Sequence, residues 1–138
     1  MTSISFVNGS YVDHRSASVH IEDRGYQFAD GVYEVFAVID QKIIDYEGHL
    51  NRLFRSLGEI SMKSPINKKA YLFHIRNLIR KNKIKDGLVY LQISRGVAQR
   101  DFKFPKNVKS SIVITAKKIS MENYYSKFCK GIKVKTTK

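Results

Sequence analysis

The chain opens with a strand-like run, Ile4-Ser5-Phe6-Val7, then Asn8-Gly9, then a second apolar pair, Tyr11-Val12. Asn-Gly between two such runs is the strongest short hairpin signal, because both residues accept the positive φ of a tight two-residue turn. A β-branched and aromatic run over residues 32–39 breaks at Asp40-Gln41 and resumes as Lys42-Ile43-Ile44, which predicts a second hairpin. The period then changes. Leu50, Leu53, Phe54, Leu57 and Ile60 recur at three- and four-residue steps, which puts them on one face of a helix over residues 47–59, with His49, Arg52 and Arg55 beside or opposite that stripe. Pro65 breaks the chain, and Asn67 can cap a second helix carrying Tyr71, Leu72, Ile75, Leu78 and Ile79 as far as Lys81. Residues 88–94, 111–116 and 132–136 read as three further strands, with Val89, Leu91 and Ile93 on one face of the first. Elements segregated in this way predict an α+β fold, a mainly antiparallel sheet with two helices. Residues 1–138 are expected to form a single domain, in which residues 121–130 are the only candidate connector.

Residues 22–34, EDRGYQFADGVYE, interrupt this regularity. Two glycines, four carboxylates, an arginine and three aromatics make the stretch too irregular for one helix or strand. Gly25 and Gly31 are expected to supply backbone geometry that side chains forbid, and Asp23 to bond to a nearby backbone group. The pattern alone is as compatible with a structural turn between two strands as with a functional loop.

Composition narrows the classes. At 138 residues and 43% hydrophobic content the chain can bury a core without staples. No apolar run approaches the ~20 residues of a membrane span, and the N-terminus does not resemble a signal peptide, so a cytoplasmic location is expected. The single cysteine, Cys129, excludes an internal disulfide and cannot by itself nucleate a metal site; a buried or half-buried thiol is expected. The formal charge of +13 is uneven: residues 1–60 hold five lysines and arginines against nine acids, whereas residues 61–138 hold twenty against three. The basic pairs Lys68-Lys69, Arg80-Lys81 and Lys117-Lys118 are scattered, with no recognisable nucleic-acid motif to organise them, so a solvated lysine-rich face is expected and nucleic acid is not the expected partner.

Three motifs, taken together, carry more. EDRGYQFADGVYEV from Glu22, HLNRL from His49 and SRGVAQRDFKFP from Ser94 to Pro105 resemble, in the same order, the N-terminal half of the class IV, fold-type IV aminotransferases. These enzymes use pyridoxal phosphate. The likeness favours the D-amino acid (D-alanine) aminotransferase branch, because branched-chain aminotransferases usually carry Phe-Glu-Gly where this chain has Tyr33-Glu34-Val35. Aminodeoxychorismate lyase, which shares the fold and cofactor, is a neighbouring alternative.

The resemblance implies roles residue by residue. Arg52, in His-x-x-Arg-Leu, corresponds to the arginine that binds the cofactor phosphate, a task suited to a planar guanidinium that donates two parallel hydrogen bonds. Tyr33 corresponds to the tyrosine that helps hold the substrate carboxylate, and Arg100 to the arginine of the same trap. In relatives the loop bearing that arginine reaches the partner subunit's active site, which implies a homodimer. Read by themselves, Arg52 is a surface helical arginine, Tyr33 an amphipathic strand residue and Arg100 a solvated loop charge. One departure is Phe102, which stands where D-amino acid aminotransferases typically place a histidine. That replacement leaves the substrate open.

The family lysine that carries the cofactor as a Schiff base lies in a second domain. None of the lysines here, including Lys133 and Lys135, occupies its position, so no catalytic residue is assigned. The first expectation is therefore a truncated or split product, the N-terminal domain of a D-amino acid aminotransferase-like protein, inactive alone. In that family an amino group passes from a D-amino acid to a 2-oxo acid. The second is half of an enzyme completed by a separately encoded C-terminal domain, and the third a basic binding or interaction module.

Overall fold

The computed structural model describes residues 3–131 and 133–137. Strands β1 (Ile4–Val7) and β2 (Ser10–Asp13) form the opening hairpin, and a 3-10 turn follows at His14–Ser16. Next come a short helix α1 (Arg24–Phe28), the long strand β3 (Gly31–Ile39) and the two-residue β4 (Lys42–Ile43). Helices α2 (Tyr46–Glu59) and α3 (Lys68–Lys81), strands β5 (Gly87–Ser94) and β6 (Ser111–Lys118) and helix α4 (Met121–Lys130) complete the order. The six strands pair antiparallel as β2-β1-β6-β5-β3-β4, so the expected α+β, mainly antiparallel architecture is present.

The predicted turns form for the expected reasons. Asn8 and Gly9 both take positive φ, and the Asn8 side chain also accepts a hydrogen bond from the Ile112 backbone, which ties the first hairpin to β6. Asn67 caps α3 through the Ala70 N–H. At the other end of α3, the Asn82 side chain both accepts from the Ile4 N–H and donates to the Ile4 carbonyl, joining the helix to β1.

Alternation along the strands sends Phe6, Phe36, Val38, Val89, Leu91, Ile93, Ile112 and Ile114 to one face of the sheet. Helix α2 lies on β3, and α3 on β1 and β6. Their buried stripes, Leu50, Leu53 and Leu57 from α2 and Tyr71, Ile75, Leu78 and Ile79 from α3, close the core. Fully burying one such side chain is worth about 1.5–3 kcal/mol, so the helices are held chiefly by this face. The opposite face carries Tyr33, Val35, Ala37, Tyr90, Gln92, Val113 and Thr115, none of them fully buried. Every lysine whose side chain is described is exposed, as a solvated basic surface requires.

Several expectations are corrected. Four helices form among the described residues rather than two. Residues 22–34 contain α1 before β3 begins, and residues 121–130, expected as a connector, are helical, since the run has no Gly or Pro and spaces Met121, Tyr125 and Phe128 at helical intervals. The strand expected over residues 132–136 does not form at residues 133–137: all five are exposed, so their alternation buries no face that would hold a strand; Ile132 lies outside the described residues. Cys129 is exposed on α4 rather than buried. Gly25 and Gly31 do not take positive φ; they are needed for close approach, since a Cβ at Gly25 would stand 2.7 Å from the Ser94 Cβ, and one at Gly31 2.5 Å from the Ile93 carbonyl oxygen.

His74 on α3 joins the helix to the first hairpin. Its Nδ1 lies 2.8 Å from the Tyr11 hydroxyl, its ring packs on Phe6, and burial holds its pKa below the ordinary value. The unfolded chain therefore binds the proton more readily than the fold does. Stability from this group is present above the ordinary histidine value of about 6.5 and declines as pH falls from there toward the lower folded value. Urea unfolding at pH 7.5 and pH 5.5 is expected to show a loss of stability on acidification that shrinks in a His74→Asn variant; an equal loss in both proteins would contradict the assignment.

Candidate functional site

Strand β3 places neighbouring side chains on opposite faces. Glu34 points toward α2 and is 2% exposed, whereas Tyr33 faces away and is 65% exposed. Strand β4 pairs only with Val38 and Ile39, so the N-terminal part of β3, where both residues sit, runs along the sheet edge.

A carboxylate on the buried face requires partners, and α2 supplies two from positions three residues apart. Arg52 Nε donates to Glu34 Oε1 and Arg52 Nη2 to Oε2, both at 2.7 Å, in a bidentate fork. His49 Nδ1 lies 2.7 Å from Oε2. Since the ionised carboxylate only accepts, this contact puts the hydrogen on Nδ1 and selects the tautomer of the neutral ring. Burial pushes the Glu34 carboxyl up, but the hydrogen bonds from Arg52 and His49 outweigh it, so Glu34 titrates below the ordinary glutamate value. Arg52 in turn is raised first by its hydrogen bond to Glu34 and then by that group's charge, with a smaller contribution from Tyr33. Its side chain is still 56% exposed, so a guanidinium whose orientation is already set presents its remaining N–H groups outward.

On the open face Tyr33 stacks on Tyr90 with ring centroids 5.8 Å apart, and the Tyr90 hydroxyl donates to Gln92 Oε1 at 2.8 Å. Burial, followed by the neighbouring Tyr33, raises the Tyr90 pKa.

Arg100 lies in the loop after β5, over the rings of Phe28 and Phe102 at 5.2 and 5.4 Å. Phe102 is exposed and meets Phe28 edge-on at 5.9 Å. His49 and Arg52 thus hold the Glu34 carboxylate on one face of β3 while Tyr33 stands on the other, and no hydrogen bond, ion pair or ring contact among the described residues links Arg100 to Tyr33 or Arg52. The described residues also hold no cluster of three or more His, Cys, Asp or Glu suited to a metal, and none of their helices is long and apolar enough to cross a membrane.

The motifs do not point to Glu34 or to Asp30. Asp30 binds both Arg24 and Arg95, each Nε standing 2.8 Å from its Oδ2. For Glu34 a signal existed: an acid at the inward parity of a β-branched strand, followed by a helix offering His49 and Arg52 at a three-residue spacing.

Residues 31–138 match the model of the family described as amino-transferase class IV. The chain belongs to that family. It is 36% identical over 137 residues to a D-alanine aminotransferase of Staphylococcus haemolyticus, covering 99% of this chain and 48% of that protein. The chain thus spans about half the length of the curated relatives it matches. Among solved structures, the branched-chain amino acid aminotransferase of Escherichia coli superposes with a TM-score of 0.80 at 19% identity, over 86% of this chain and 42% of that one. A second branched-chain amino acid aminotransferase, from T.th. and with pyridoxamine 5'-phosphate, gives 0.79 at 14% identity, over 87% and 41%. The fold of this class IV aminotransferase chain is therefore that of the family's N-terminal part.

The paired carboxylate yields a prediction for the class IV chain. In Arg52→Ala, burial acts on Glu34 with only His49 opposing it, so the Glu34 carboxyl is expected to titrate at higher pH than in the wild type, as read from its side-chain carbon shift by NMR. An unchanged titration would show that Arg52 is not its main partner. In the wild type the lowered value means that the stability due to Glu34 is complete above the ordinary value of about 4.3 and is lost as pH falls through the folded value.

Proposed function

We propose that this chain is the phosphate- and carboxylate-binding half of a pyridoxal-phosphate-dependent D-amino acid aminotransferase. The observation that carries this reading is the exposed guanidinium of Arg52, pre-oriented by a buried carboxylate. A guanidinium held in this way loses little freedom on binding a phosphate dianion, and its unused N–H groups can donate to two oxygens of that tetrahedral acceptor. The residues present therefore fit the phosphate end of the cofactor. Bound there, pyridoxal phosphate would supply the carbonyl that takes up the amino group of a D-amino acid and returns it to a 2-oxo acid.

Within that assignment Arg52 holds the phosphate and Glu34 holds Arg52. The Tyr33 hydroxyl, exposed on the open face, serves as a neutral donor to the substrate carboxylate, and Arg100 supplies the cationic donor from a second copy of the chain. Phe102 beside Arg100 offers an apolar wall where relatives place a donor, which shifts preference toward less polar D-amino acids. The likeness to D-alanine aminotransferases supports the D-amino acid reading. No lysine of this chain is assigned to hold the cofactor covalently, so the 138-residue polypeptide is proposed to be inactive by itself and to act with a C-terminal half, as a homodimer in the cytoplasm.

Two measurements on the purified 138-residue polypeptide test this. Pyridoxal phosphate titrated by fluorescence is expected to bind without stoichiometric capture by borohydride, and Arg52→Ala is expected to weaken binding about tenfold or more, as loss of a charge-assisted pair should. Mixed with the separately produced C-terminal half of a D-alanine aminotransferase, the chain should transaminate D-alanine but not L-alanine. Equal binding by the wild type and Arg52→Ala would sink the phosphate assignment, and a mixture inactive on every D-amino acid tried would sink the complementation.

A further inference from the structure

The segment from Arg95 to Pro105 has no regular structure beyond one bridge, Val97 with Asp23, yet it carries Arg100 and two exposed rings, Phe102 and Phe104. What gives this segment a shape is a pair of buried guanidiniums. Arg24 Nη1 donates to the Asp101 carbonyl at 2.8 Å, and the Arg24 and Arg95 guanidiniums both lie over the Phe104 ring, at 5.7 and 4.6 Å from its centroid. Arg24 also lies 4.6 Å over Phe28, the ring on which Arg100 and Phe102 rest. Arg95 Nη2 donates to the Ile60 carbonyl, so its far end is tied to the turn after α2.

Both guanidiniums depend on one acid. Arg24 and Arg95 are 4% and 13% exposed in their side chains, and each directs its Nε to Asp30 Oδ2. Two buried cations around one carboxylate would repel each other without it, and an unpaired buried charge is costly. The backbone of the same region is held separately: Arg24 N–H donates to the Gly96 carbonyl and Arg95 N–H to the Asp30 carbonyl. Removing the Asp30 charge therefore frees the side-chain clamp while the main-chain ties persist.

We propose that Asp30 is a positioning residue: through Arg24, Arg95 and the Phe104 ring it presets the loop that presents Arg100, and so sets how firmly the substrate carboxylate is held. This rests on the proposed role of Arg100 and extends it from the residue that meets the anion to the acid that aims it. Cation–π contact and the Asp101 carbonyl transmit the constraint, since both are short-range and directional.

Limited trypsin digestion of the whole 138-residue chain reads the clamp without any substrate. Cleavage after Arg100 and Lys103 is expected to accelerate about tenfold in Asp30→Asn, as expected from losing a charge-assisted bond. Phe104→Leu, which removes the stacked ring and leaves the buried ions untouched, should do the same with its urea midpoint unchanged, and it keeps the test decisive if Asp30→Asn does not fold. Wild-type cleavage rates in Phe104→Leu would overturn the clamp. Pyridoxal phosphate affinity, which depends on Arg52, should stay at the wild-type level in both variants. In the complemented enzyme, KM for D-alanine should rise about tenfold with kcat within about twofold, the range set by losing the same bond; a loosened loop with unchanged KM would overturn the positioning role. Failure of complementation by the wild type would fall on the proposed function instead, and the cleavage rates would still decide the clamp.

Discussion

The alternation of strand β3 is the constraint on which the rest of the site depends. Successive residues of a strand point to opposite faces, so Glu34 must enter the face covered by α2 if Tyr33 is to stand free on the other. An isolated carboxylate could not remain ionised there. It does so because α2 brings His49 and Arg52 against it, and the same contacts that satisfy the acid orient the arginine. Packing of the leucine stripe beneath α2 fixes where that helix lies, and hence where the exposed guanidinium points.

Asp30 follows the same physical scheme with the opposite exposure. One carboxylate serves two cations, and burial, which by itself would raise its pKa, is outweighed by the hydrogen bonds from Arg95 and Arg24. At Glu34 the shared acid leaves one partner, Arg52, open to solvent. At Asp30 both partners are largely buried, and each donates one further N–H to the carbonyl of a distant segment, Asp101 for Arg24 and Ile60 for Arg95. The two acids stand only three residues beyond and one residue before the glycine that begins β3, so one short stretch of chain organises both the exposed arginine and the loop of Arg100.

Much of the fold was legible in the chain. The Asn8-Gly9 turn, the Asn67 cap and the leucine stripe of α2 are local signals whose physics does not depend on distant residues, and each formed where the pattern put it. Signals failed where the decision was not local. The run over residues 132–136 has the alternation of a strand, but a strand is held by the face it buries, and residues 133–137 are all exposed. Helix α1 is only five residues long and is stabilised by its Asp23 cap and by the approach of Gly25 to β5, neither of which period analysis detects.

The sequence by itself determined the α+β class, the strand hairpins, the two amphipathic helices and the family, because these follow from periodicity, turn chemistry and motif order. It also named Tyr33, Arg52 and Arg100. Only the tertiary structure decided that Arg52 is held by Glu34, that Asp30 joins Arg24 to Arg95, and that Arg100 lies over the rings of Phe28 and Phe102. The physical reason is that ion pairing and burial are set by distances between residues far apart in the chain, and no local period encodes which acid will meet which base.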